Sequence, residues 1–192
     1  MTYSVLLDAG VLLPGYARNT LLHVAAQKAY RPLWTRQIWE CALQLAISAH
    51  PQADPTALQS QMLVIQTTFD DAMVDGWEHL VSTMTNPPHD RHVLAAAVAG
   101  NADGVVTTNM GSFPASARQP YGVALYSLDE FLVDQLSQHT GEVLSALMTQ
   151  AARLRENAYV ELSVEDILDI LKEDLPNFSE QVADTLQLWG AA

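Results

Sequence analysis

Short apolar runs and longer stretches of helical period alternate along most of the chain. Residues 3–8, YSVLLD, are a β-branched and aliphatic run that stops at an acid, as a buried parallel strand does. Pro14 opens a stretch to about residue 29 in which Leu21, Leu22, Val24, Ala25 and Ala29 recur at helical spacing, and Pro32 closes it. A second helix is predicted over 35–49 on Ile38, Trp39, Ala42, Leu43, Ala46 and Ile47, and a third over 55–73. Pro87-Pro88 breaks the chain before HDRHVLAAAVAG, which reads as a helix starting near Asp90 and stopping at Gly100. Strands are expected at 104–107 and 123–126, and a helix from Leu128. Strands alternating with helices predict a three-layer α/β fold with a mainly parallel central sheet.

Beyond residue 135 the pattern becomes all-helical, with helices expected near 140–156, 163–173 and 178–189. The expected division is therefore a domain over 1–135 and a helical C-terminal extension over 136–192. Ser163 reads as an N-cap, with Asp166 at the capping-box position. The extension is acidic, ten acids against Arg153, Arg155 and Lys172. Its apolar positions Leu162, Val164, Ile167, Leu168, Ile170 and Leu171 suffice to pack on the body or to dock a basic partner or a second copy.

Composition narrows the class. At 192 residues, 49% hydrophobic and 16% charged, the chain can bury one sizeable core and is not a disordered polypeptide. No uncharged run of about 18 apolar residues occurs, and the apolar start is cut by Asp8 without a basic flank, which predicts a cytoplasmic protein with no membrane span. The single cysteine, Cys41, excludes an intramolecular disulfide and a cysteine-based zinc cluster, and reads as a buried thiol. A net charge of −13 works against nonspecific binding to phosphate backbones, which needs Lys and Arg.

In open α/β sheets ligands bind outside the carboxyl ends of the strands. Asp8 ends the first strand; Thr107, Thr108 and Asn109 end a later one; Asp90 starts a helix that begins on the same edge. Singly, each has a structural explanation: Asp8 and Asp90 as caps, Asn109 as a turn residue. Glu40 lies in a row Arg36, Glu40, Gln44, Ser48 spaced every four residues, which reads equally well as a solvated face with an ion pair.

Taken together, VLLDAGVLL, WTRQIWECAL, DRHVLAAAVAGNADGVVTTNMGSFP and YGVALYSLDEFL resemble successive blocks of the PIN domain, a metal-dependent nuclease fold, and within it the VapC-like toxins of VapBC toxin–antitoxin pairs. The resemblance covers roughly residues 3–135, with a weaker likeness of the tail to helical extensions of longer VapC-like proteins. It implies that Asp8, Glu40 and Asp90 form an acidic cluster holding one or two Mg²⁺ or Mn²⁺ ions for hydrolysis of RNA. Thr107, Asn109, Ser112 and Arg91 would then lie on the substrate side, and an antitoxin and a second copy of the chain would be the expected protein partners. In many PIN domains of this kind an Asp precedes the Phe of the strand-end loop, and here that position is Ser112. Its hydroxyl brings no charge, although Asn109 can supply a neutral oxygen, so a weakened metal site is expected. The rival reading is a PIN-fold binding or regulatory protein with weakened or lost catalysis.

Arg18, Arg31, Arg36, Arg91 and Arg118 are candidates for an RNA approach path, while His89 and His92 read as surface or packing histidines. A phosphatase of the haloacid dehalogenase type would need a second Asp two residues after Asp8, where the chain has Gly10.

Overall fold

The structure, a computed structural model, describes residues 2–158 and 162–190. The side chain of Arg155, counted among the bases of the tail, lies outside those described. The chain divides into two compact units, one built from 3–14 and 31–127, the other from 15–30 and the residues from 128 onward.

The first unit contains a four-stranded sheet in the order β2-β1-β3-β4, with β1 Ser4–Leu7, β2 Arg31–Leu33, β3 Gly104–Val106 and β4 Ala124–Tyr126. Every pairing is parallel, and Leu6 lies opposite Leu33 on one side and Val105 on the other. With neighbours along both edges, β1 has to be apolar on both faces, and Val5, Leu6 and Leu7 are fully buried. Burial of each side chain of this size contributes about 1.5–3 kcal/mol.

Strand β2 was not foreseen, because Pro32 reads as a helix stop. Its place is at the sheet edge, where proline's missing N–H is tolerated. Helix α1 is Tyr16–Ala26, and α2, Arg36–Ala49, starts where Thr35 Oγ1 accepts the Ile38 N–H at 3.1 Å. It buries Ile38, Trp39, Ala42 and Ala46, with Trp39 edge-on to Trp34 at 5.3 Å. Helix α3, Pro55–Thr68, ends before the expected residue 73. The chain turns back there so that Trp34 bonds to Ala72 and Val74 through its backbone N–H and C=O, at 3.0 and 2.8 Å. Helix α4, Arg91–Ala99, packs on β1 and β3 through a buried run from Val93 to Ala97. Short α5, Ala115–Arg118, precedes β4.

The second unit is helical: α1 together with α6 Leu128–Gln138, α7 Thr140–Ala158, α8 Val164–Leu171 and α9 Pro176–Gly190. Helix α1 packs along α7, where Thr20 Oγ1 lies 2.9 Å from Gln150 Oε1. Tyr30 stands edge-on to Phe131 at 4.8 Å and donates its hydroxyl to the Leu21 carbonyl. The capping box read at Ser163 is present. A second cap comes from afar: Asp129 in α6 accepts the backbone N–H groups of Asn177 and Phe178, at 3.1 and 2.8 Å, in the first turn of α9.

Candidate active site

The sheet changes direction of winding between β1 and β3, and the residues that follow these strands are brought side by side by the ladder itself. Asp8 N–H donates to Val106 C=O and Thr107 N–H to Tyr126 C=O, both at 3.0 Å. Thr107, fully buried, donates its hydroxyl to Asp8 Oδ2 at 2.6 Å, while Ala9 N–H donates to Asp8 Oδ1 at 2.7 Å. The same threonine oxygen accepts the Asn109 N–H at 2.9 Å, so the carboxylate and the loop after β3 share one anchor.

Asn109 carries the arrangement further. Its Nδ2 donates to Ser112 Oγ at 2.7 Å and approaches Asp90 Oδ2 at 3.4 Å. A 3₁₀ turn at Met110–Ser112 makes the first bond possible by folding residue 112 back toward residue 109. Asp90 occupies the cap position of α4, yet its carboxylate accepts nothing from the helix. The capping explanation therefore fails for Asp90 and holds only in part for Asp8, whose second oxygen faces Thr107.

Asp8 is 8% exposed, and burial pushes its carboxyl above the usual range. The hydrogen bonds from Thr107 and Ala9 oppose that shift, Asp90 adds to it by repulsion and His92 opposes it by attraction. Cys41, half-buried, has its thiol raised first by burial and then by Asp8, Glu40 and Asp90. Its closeness to the site was missed in the sequence, where only its adjacency to Glu40 hinted at it.

The other candidates are less directly placed. Glu40 is exposed on α2 and lines, with Gln37, Cys41, Gln44 and Leu45, an open groove of about 740 Å³. Glu40 makes no hydrogen bond or ion pair among the described residues, and the expected Arg36 pair does not form. Arg91 donates to the Asn86 carbonyl at 2.9 Å, Arg118 donates to that of Val123, and Arg31 is paired with Asp71 at 2.9 Å. His92 Nδ1 meets the His89 carbonyl at 2.9 Å. An added Cβ at Gly10 would sit 2.2 Å from Thr108 Oγ1, so a side chain at that position would have to displace the threonine hydroxyl.

Among the described residues no three His, Cys, Asp or Glu side chains come together as a metal-ligand group. The donor set is two carboxylates, Asp8 and Asp90, with the Ser112 hydroxyl and Asn109 amide beside them. Mg²⁺ is commonly held by one or two carboxylates and keeps its remaining waters, so these residues fit such an ion. The repulsion of Asp8 by Asp90 is the electrostatic demand that a cation would relieve.

Comparison with known proteins bears on both units. Residues 128–184 match the family model described as VapC50 C-terminal domain. Over 110 residues the chain is 34% identical to a Mycobacterium tuberculosis protein named "Putative ribonuclease VapC50", covering 56% of this chain and 62% of that protein. In both comparisons the chain is similar to VapC50-type proteins, and it spans under two thirds of the length of the relative it matches. No solved structure matches. The VapC50-type segment begins at Leu128, where the chain re-enters the helical unit, and the parallel sheet agrees with the PIN-like α/β expectation. Among the described residues no helix is long and apolar enough to cross a membrane.

Proposed function

We propose that this chain is a divalent-metal-dependent ribonuclease and the toxin member of a toxin–antitoxin pair. The observation that carries the reading is the buried Asp8 carboxylate, held by Thr107 at the end of β1 and repelled by Asp90. The name of the VapC50 relative supports the choice of RNA as substrate.

In this reading Asp8 and Asp90 hold Mg²⁺ or Mn²⁺, with Glu40 reaching the same charge field from α2. Such an ion, when bound, supplies Lewis acidity toward a phosphodiester and its attacking water. Thr107 keeps Asp8 in one rotamer, and Asn109 ties Asp90 to the loop that carries Ser112, so the two carboxylates stay aligned. The neutral Ser112 lowers the affinity of the site for the cation. Arg91, anchored on the Asn86 carbonyl, contributes charge near the start of α4. A basic antitoxin and a second copy of the chain are the protein partners this reading expects.

A second reading, a PIN-fold binding protein with weakened catalysis, is favoured by Ser112 and by the lack of a three-residue ligand group among the described residues. One experiment separates them: cleavage of a panel of structured RNAs with Mg²⁺ or Mn²⁺ by the natural chain, Asp8→Asn, Asp90→Asn and Ser112→Asp. The nuclease reading expects metal-dependent cutting that falls roughly 100-fold or more in both Asn variants. An inert natural chain that gains cutting only as Ser112→Asp would establish the second reading.

A further inference from the structure

The Asn109 amide faces two groups that make different demands of it. Its Nδ2 donates to Ser112 Oγ at 2.7 Å and lies 3.4 Å from Asp90 Oδ2. An ionised carboxylate only accepts, so the amino side of the amide is the one that can face Asp90. The Ser112 hydroxyl is under no such constraint, because it donates or accepts by rotating its proton. It is buried, and the turn holds it beside Asn109 through a second bond, from Ser112 N–H to the Asn109 carbonyl at 3.1 Å. The Asn109 backbone is fixed as well by its own N–H, which donates to Thr107 Oγ1 at 2.9 Å. The terminal torsion of the side chain is left free to vary, and half a turn about it exchanges Oδ1 with Nδ2 in almost the same space.

A divalent cation on Asp8 and Asp90 inverts the demand. Hard cations take carbonyl and carboxylate oxygens, and the positive end of an N–H dipole is repelled by them, so Oδ1 becomes the favoured side. With serine at position 112 the exchange costs no hydrogen bond: the hydroxyl that accepted from Nδ2 donates to Oδ1 instead. Nδ2 turns outward, where the exposure of Asn109 gives it water. A carboxylate in place of that hydroxyl has no proton to donate and would hold the amide with its amino side inward.

We propose that Asn109 Oδ1 is a neutral ligand of the cation held by Asp8 and Asp90, brought into use by a half-turn of the amide that Ser112 permits and a carboxylate at position 112 blocks. The proposal rests on the metal-dependent reading of the site. Ser112 is then more than the loss of a charged ligand, since it releases the neighbouring oxygen that takes over part of that role.

The test joins calorimetric titration with diamagnetic Mg²⁺ to NMR of the side-chain carbonyl carbons, on the full natural chain, Ser112→Asp, Asn109→Ala and Asn109→Asp. The Asn109 signal is assigned by its absence from Asn109→Ala. In the natural chain it should move downfield and saturate together with the calorimetric site. In Ser112→Asp, with Mg²⁺ bound, it should move by only a small fraction of that shift. Asn109→Ala should bind Mg²⁺ roughly tenfold more weakly. Asn109→Asp should bind it more tightly and yet melt lower in EDTA, because its added charge favours the cation and repels Asp90 when none is bound. An Asn109 that merely supports the loop would give losses in both. Mg²⁺ uptake by the natural chain with a stationary Asn109 signal, or an equal movement in Ser112→Asp, overturns the proposal and leaves the metal reading standing. No uptake by the natural chain overturns both. Should Asn109→Ala not fold, Asn109→Asp supplies the same assignment, and a weaker affinity for Mg²⁺ in it overturns the proposal.

Discussion

The two units place the same residue type in opposite situations. In the helical unit, Asp129 accepts two first-turn amides of α9 and the Asn177 Nδ2, and Asp166 accepts the Ser163 N–H and hydroxyl. Hydrogen bonds from the Ser163 backbone and then its side chain hold the Asp166 carboxyl below its usual range. In the sheet unit, Asp8 has its carboxyl raised by burial, with Asp90 adding repulsion. A helix start supplies partial positive charge to its acid, whereas the strand end supplies two hydrogen bonds and a like charge. The first kind of carboxylate supports the fold; the second opposes it, and a bound cation would relieve that opposition.

Three substitutions grade this contrast. Thr107→Val should cost most, about 1–3 kcal/mol in urea unfolding, because it strips the buried Asp8 of a bond and orphans the Asn109 N–H. A smaller loss than at Asp129 would break the contrast. Asp129→Ala removes the distant cap of α9 and should cost about 0.5–2 kcal/mol, with Asp129→Asn recovering part of it. Asp166→Ala should show the smallest effect, and a pH-dependent one. Its carboxyl is lower in the folded state, so its contribution is present above the unfolded pKa and disappears as pH falls through the folded one. Melting curves of the natural chain and Asp166→Ala should therefore converge in acid; a constant gap would mean that charge plays no part.

Much of this arrangement is legible in residue patterns. A β-branched run ending in Asp8, a helix from Arg91 to Ala99 with Asp90 at its head, and the Ser163-Asp166 pair all depend on local periodicity and cap chemistry, which act over a few residues. Strand β2 escaped because a proline in a three-residue edge strand looks the same as a helix stop. The joining of α1 to the C-terminal helices escaped because it depends on contacts such as Thr20 with Gln150, between residues far apart in sequence. Within the site, Asp8 and Thr107 follow from strand ends, but the bond from Asn109 to Ser112 required the 3₁₀ turn that brings them together. Glu40 is the converse case: its place in the resemblance suggested a ligand, and it stands exposed on α2 beside Cys41.

The most direct test of the central claim, that Asp8 and Asp90 are set against each other to receive a cation, is calorimetric titration of the metal-stripped chain with Mn²⁺. The natural chain should show a saturable site whose affinity drops at least about tenfold in both Asp8→Asn and Asp90→Asn. No binding by the natural chain, or equal binding by both variants, would contradict it.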